Sequence, residues 1–214
     1  MRIYQFPAFR IETQLFHAPG AGYDGGLTAG GAQFITPEPG GFSVLEMTPA
    51  ISDTEWVNPA ASALMSRISG QMLRVRLSAS PQLAWSRERL DHLNFDLANP
   101  TGANNDAQTK FTSASLKGAV TVHIDMTQFA GLLREGHLIG HAFDTYLVDE
   151  IAYVGTVAKI TVKPPLRRNT AIGDTCLLTP WFTGRISNGA DIRAAYNNLG
   201  HVKLGNIILT EAIV

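Results

Sequence analysis

The run from Gly155 to Ile186, GTVAKITVKPPLRRNTAIGDTCLLTPWFTGRI, does most to restrict what this chain can fold into. Ala158, Ile160 and Val162 alternate with Lys159, Thr161 and Lys163. A period of two over this length predicts a β-strand with one buried face. Pro164-Pro165 ends that strand, because neither proline can donate to a ladder and Lys163 is held extended by the proline after it. Arg167 and Arg168 follow at once, and Gly173-Asp174 supplies a turn into a second apolar run, Cys176 to Leu178. The block reads as strand, rigid PPLRR corner, turn and strand. It carries no catalytic motif.

The remainder of the chain repeats this language of short strands and turns. Ile3 to Phe6 and Arg10 to Phe16 are strand-like. The tract from Ala18 to Gly41 holds Gly20, Gly22, Gly25, Gly26, Gly30, Gly31, Gly40 and Gly41, a composition that excludes a helix and predicts a long, adaptable loop. A strand is expected over Phe42 to Thr48. One helix is expected, from Pro59 to Ser69, on the apolar stripe Val57, Ala61, Leu64, Met65 and Ile68. Asn58 suits its N-cap, Pro59 its first turn and Gly70 its end. Leu73, Val75 and Leu77 then alternate with Arg74, Arg76 and Ser78 as a half-buried strand.

From Pro81 to Lys110 the periodicity disappears, and the asparagines and Gly102 of its second half predict an exposed loop. That places a boundary between an N-terminal β-rich half, residues 1–110, and a C-terminal sandwich or barrel half, residues 111–214. Strands follow at Ala119 to Ile124, in a hairpin over Gly136 to Gly155 with its turn near Phe143-Asp144, and at His201 to Leu204 and Asn206 to Ile213. The spacing predicts a mainly β protein, a β-sandwich or barrel-like halves with one short helix and long loops.

Bulk properties narrow the function classes. Apolar residues make up 45% and charged residues 16% of 214, against about 25% charged in an average domain. A surface short of charge suits contact with other subunits. A net charge of −1 gives no basic field to draw nucleic acid. No run approaches the ~20 apolar residues of a membrane span, and MRIYQFPAFRIETQ lacks a signal-type apolar region, so synthesis in a cytoplasm is expected. The single cysteine, Cys176, excludes an internal disulfide and reads as a small buried hydrophobe.

The remaining constellations have plain structural readings. His137 and His141 are spaced as H-x3-H, but the intervening residues are Leu-Ile-Gly, without the glutamate of a zinc protease, and a sheet-surface pair is expected. Asp144, Asp149, Glu150 and Asp174 contain the carboxylates a glycoside hydrolase needs, yet each suits a turn or strand surface. No catalytic, metal or cofactor residues are expected. Trp56, Trp85 and Trp181 read as core or inter-subunit anchors, with a glycan-binding platform as the alternative. Arg167 and Arg168 are too few for a nucleic-acid groove and suit a salt bridge between subunits or the lining of a lumen. Trp56, Trp85, Arg167, Arg168 and Trp181 are the interface candidates.

AKITVKPPLRR, GD and TPWFTGRI, preceded by SASLKGAVTVHI, GLLREGHLIGH and TYLVDEI and followed by GNIILTEAIV, resemble a family of tail structural proteins of tailed bacteriophages. The resemblance covers roughly Phe42 to Val214, with GQMLRVRL in its earlier half, and rests on the order of the elements, among them a PPLR corner and a final strand ending near a Glu-Ala pair, here Glu211-Ala212. It implies a distal-tail or tail-tip adaptor of the virion, joining the tail tube to the receptor-binding fibres and assembled in the host bacterial cytoplasm. It further implies self-association into a six-fold or three-fold ring, with tube, hub and fibre proteins as neighbours and no nucleic acid or membrane. The alternatives are a carbohydrate-binding module at the tail tip, a glycan hydrolase and a head–tail connector.

Overall fold

The computed structural model describes residues 3–6, 11–18, 23–27, 33–36, 41–49, 62, 64, 66, 71–77, 108–129, 133–189, 192, 194–196 and 202–213. These residues form a mainly β, sandwich-like protein. Before the PPLRR corner come β1 (Ile3–Gln5), β2 (Ile11–His17), β3 (Tyr23–Leu27), β4 (Gln33–Thr36), β5 (Val44–Pro49), β6 (Met72–Arg76), β7 (Gln108–Lys110), β8 (Thr121–Asp125), β9 (Leu138–His141), β10 (Asp144–Val154) and β11 (Val157–Lys163). After it come β12 (Thr175–Leu177), β13 (Trp181–Ile186), β14 (Ala194–Tyr196), β15 (Val202–Leu204) and β16 (Ile207–Glu211).

Two six-stranded sheets carry the fold. The first has the order β1-β6-β13-β16-β5-β2 and the second β7-β12-β9-β10-β11-β8. Period-two alternation sets the buried face of each. In β11, Ala158, Ile160 and Val162 are fully buried while Lys159 and Lys163 are exposed. They join Val122, Ile124, Tyr146, Val148 and Cys176 in the core of the second sheet. Leu45, Met47, Leu73, Val75, Phe182, Ile207 and Leu209 make the corresponding core of the first.

The second sheet curls until its two ends meet. Phe111, just beyond β7, bridges Ile124 of β8, and the Thr112 amide donates to the His123 carbonyl at 2.9 Å. The contact is a bridge and not a ladder, so among the described residues no closed barrel forms. Strands β9 and the start of β10 are buried on both faces. Leu138 belongs to the first core, with Leu147 packed against it, while Ile139, Tyr146 and Val148 belong to the second. Consecutive apolar residues, Leu138-Ile139 and Tyr146-Leu147-Val148, are the sequence form of a strand buried on both sides.

Three expectations change. The two sheets do not divide at residue 110, because β13 and β16 are laid into the first sheet among strands from the N-terminal part of the chain. The glycine-rich tract is not a single loop, since β3 and β4 pair within it as an antiparallel ribbon with a register shift between Asp24 and Leu27. Ladder hydrogen bonds use only the backbone, which glycine supplies. The aperiodic segment ends in a strand, β7, which pairs with β12, and its residues 81–107 lie outside the described set. Of the expected helix, Ser62, Leu64 and Ser66 are described and helical, with Leu64 buried in the first core and the two serines exposed; the remainder lies outside.

Gly184 of β13 lies at the centre of the first sheet, paired with Glu211 of β16. A Cβ there would stand 2.7 Å from both the Phe182 ring and the Thr210 carbonyl oxygen. Backbone cannot yield as a side-chain tip can. Gly184→Ala is expected to destabilise by about 1–3 kcal/mol, read as a fall in the midpoint of thermal unfolding.

Candidate functional site

The PPLRR corner follows β11 and is anchored by Leu166, which is buried in the second core. Its amide donates to the Ala119 carbonyl at 2.9 Å and its carbonyl accepts from Gly118 at 2.8 Å. With Leu166 fixed, the two arginines that follow take different partners.

Arg167 turns to the first sheet. Its Nε and Nη2 donate to Oε1 and Oε2 of Glu211, each at 3.1 Å, and Nη2 also donates to the Gly41 carbonyl. The Ser43 amide donates to Glu211 Oε2 at 2.8 Å, and the Arg167 amide donates to the Tyr146 hydroxyl oxygen at 3.0 Å. Both side chains are nearly out of water, at 10% and 5% exposure. A forked, charge-assisted pair of this kind is strong, but its strength comes from saturation. With one partner removed, the other becomes an uncompensated buried charge. The expectation that Arg167 is offered to a neighbouring subunit is therefore replaced: its guanidinium is consumed inside the chain, joining the corner, residues 41–43 and β16.

Arg168 turns to the β9–β10 hairpin. Its Nε and Nη2 donate to Oδ2 and Oδ1 of Asp144 at 2.5 and 3.2 Å, and the Tyr146 hydroxyl donates to Oδ2 at 3.4 Å. The hydrogen bond to Asp144 raises the Arg168 pKa. Burial, and next the Asp144 charge, push the Tyr146 hydroxyl well above its ordinary range. Arg168 also lies 5.8 Å from the centre of the Phe143 ring at the hairpin tip. Arg74 of β6 approaches the same ring at 5.8 Å and the Trp181 ring at 4.7 Å. Trp181, Arg74, Phe143 and Arg168 thus form one alternating row of rings and guanidinium groups across the seam between the sheets. The Thr145 hydroxyl, donating to the Trp181 carbonyl at 3.0 Å, adds a bond across the same seam.

Of the interface candidates, Arg168 and Trp181 are drawn into this row and Arg167 into the neighbouring clamp, whereas Trp56 and Trp85 lie outside the described residues. Spacing missed Asp144 and Glu211, which stand 24 and 44 positions from their arginines. Only the resemblance drew attention to Glu211, as part of a terminal Glu-Ala pair.

The histidines are not a sheet-surface pair. His137 and His141 are buried, because both faces of this hairpin are covered. His137 Nδ1 accepts from the Arg134 amide at 3.1 Å. His141 Nε2 lies 3.5 Å from Asp174 Oδ2 with the Phe111 ring edge-on beside it. Burial lowers both pKa values, aided at His137 by the Arg134 charge and partly opposed at His141 by Asp174. The four carboxylates considered for glycoside cleavage stand in different settings. Asp144 is buried against Arg168, Asp149 is paired with Lys163 at 2.9 Å, Asp174 accepts from the Ala171 amide at 2.8 Å, and Glu150 is exposed on β10.

A polar groove of about 340 Å³ lies beside β7 and the end of β8, lined by Gln108, Lys110, Asp125, Thr127 and Gln128 among others. The amide and hydroxyl of Thr127 donate to Asp125 Oδ1 at 2.9 and 2.6 Å, and these bonds hold its carboxyl below the ordinary range. Burial pushes the Cys176 thiol up to about 12, which leaves no thiolate at neutral pH. Among the described residues no three His, Cys, Asp or Glu side chains are grouped to hold a metal, and no helix is long and apolar enough to cross a membrane. No protein-family model and no curated protein matches the chain.

Two outcomes are expected from this geometry. Arg168→Ala strands the Asp144 carboxylate in the seam and should cost about 3–5 kcal/mol, measured by urea unfolding, with Asp144→Ala in the same chain recovering much of the loss. The two histidines bind protons less readily folded than unfolded, so the unfolded chain takes up more protons below about pH 6.5. Stability is therefore complete above that pH and falls as the solution is acidified. The urea midpoint should drop on lowering the pH from about 7.5 to 5.5, and less so in His141→Gln.

Proposed function

We propose that this chain is a structural component of a tailed-bacteriophage virion, a distal-tail or tail-tip adaptor linking the tail tube to the receptor-binding fibres. One observation carries the reading. Arg167 of the PPLRR corner and Glu211 of the terminal Glu-Ala pair, two of the features on which the resemblance rests, meet as a buried ion pair. Segments far apart in the sequence are thereby parts of one framework, which supports an architectural reading of both. The polar side chains gathered at the corner bond to one another, and such a framework suits assembly better than turnover.

On this reading copies close into a six-fold or three-fold ring through heterologous contacts. Tube, hub and fibre proteins are its neighbours, and nucleic acid, membrane and cofactor are not among its partners. The charge fraction of 16% supports contact-forming surfaces. Arg74 lies over the Trp181 ring, which weighs against that tryptophan as an open platform for glycan.

The test is location. Particles encoded by the same genome should contain the chain, and antibody label should mark the end of the tail away from the head. Light scattering, with the other tail proteins present, should give a multiple of three or six copies. Absence from purified particles, or label beside the head, rejects the reading.

A further inference from the structure

The two sheets are built differently along the chain. All six strands of the second lie within one continuous segment, residues 108–177. Two of its five pairings, β9 with β10 and β10 with β11, join strands adjacent in the chain, and the widest, β7 with β12, spans fewer than 70 positions. The first sheet is assembled from strands on either side of that segment, and β16 pairs with β5 across more than 150 positions. Local pairings close small loops and distant ones large loops, so the entropic cost of the first sheet is greater.

Within the first sheet one strand has a special place. The order β1-β6-β13-β16-β5-β2 makes β16 the sole hydrogen-bonded link, among the described strands, between β1-β6-β13 and β5-β2. Glu211, at the end of β16, is the residue that Arg167 of the second unit holds. The start of β16 is tied by Asn188, whose Oδ1 accepts from the Ile208 amide at 2.9 Å and whose Nδ2 donates to the Asn206 carbonyl at 2.8 Å. A catch on a sole link controls the whole sheet.

We propose that the Arg167–Glu211 pair is a catch between two separately cooperative units, and that its release lets β16 leave and the first sheet come apart while the second stays folded. Units of this kind, coinciding with contiguous motifs, open at different free energies in the native state. The opened chain exposes the edges of β13 and β5, each complementary to a β-strand.

Hydrogen exchange of the whole chain, followed by mass spectrometry at low denaturant, tests this. In the wild type, peptides covering 44–49, 181–186 and 207–211 should exchange through one shared opening, while those covering 144–148 and 158–162 remain protected. Glu211→Gln should accelerate the first group on the order of a hundredfold and leave the second unchanged. Lys163→Ala, which breaks only the exposed pair with Asp149, should alter neither group. Exchange of both sheets through one common opening in the wild type overturns the proposal without need of any variant. Equal acceleration of both groups, or acceleration of neither, by Glu211→Gln overturns it as well.

Discussion

The fold hangs on one buried ion pair. Glu211 ends a strand of the first sheet and Arg167 lies in the corner between β11 and β12 of the second, and around their charges are gathered the Gly41 carbonyl, the Ser43 amide and, through the Arg167 backbone, the Tyr146 hydroxyl. Hydrophobic packing alone would let two curved sheets slide, since apolar contact has no direction. A forked guanidinium–carboxylate pair has direction, and in a dry setting it tolerates little displacement. Replacing such a pair by apolar residues of equal volume need not weaken a protein, whereas losing one partner leaves the other as an unpaired buried charge, so the pair both fixes register between the sheets and holds them together once built.

The β9–β10 hairpin supplies what the ion pair lacks. Its two faces serve two cores, Leu138 and Leu147 toward the first and Ile139, Tyr146 and Val148 toward the second. The close approach extends to Gly140, where a Cβ would stand 2.9 Å from the Pro180 side chain. The strands of this hairpin are covered on both faces although Ala142 at its tip is exposed, so Asp144 and His141 are buried, and each has a charged partner within 3.5 Å. The row of Phe143, Arg74, Trp181 and Arg168 closes the seam at the same end.

Strand identity was legible in the sequence wherever one face is buried and the other wet. Ala158, Ile160 and Val162 in β11, and Leu73 with Val75 in β6, alternate in the sequence and in their exposure alike. The PPLRR corner was legible because proline chemistry is local. What failed to show was anything set by tertiary contact. Alternation says that Val75 is buried but not that its strand lies beside β13, so a division at residue 110 looked natural where the chain in fact crosses back. Arg168 gives no sign of Asp144, and the polar character of His137 and His141 pointed to a surface that tertiary packing removes. The ribbon of β3 and β4 was obscured for another reason: backbone pairing leaves no side-chain pattern among glycines.

The scarcity of charge bears on this architecture as much as on any interface. Only 35 side chains, 17 basic and 18 acidic, are formally charged, and several of those in the described residues hold the chain to itself. Arg167 with Glu211 and Arg168 with Asp144 bind elements, and Lys163 with Asp149 braces β11 against β10. Charges committed inside cannot repel a neighbouring copy or draw counterions to the surface. The outer faces carry the remaining charges, Lys117, Glu135 and Lys159 among them, beside isolated apolar side chains such as Leu116, Val154 and Ile172, each exposed by more than 70%. Single apolar side chains of this kind are ordinary on any surface. On a surface with a low overall charge fraction they lower the desolvation cost of contact, which falls chiefly on charged groups. The two buried pairs take four of the 35 charges out of the surface, and to that extent fixing the sheets internally also lowers the charge a neighbouring molecule would meet.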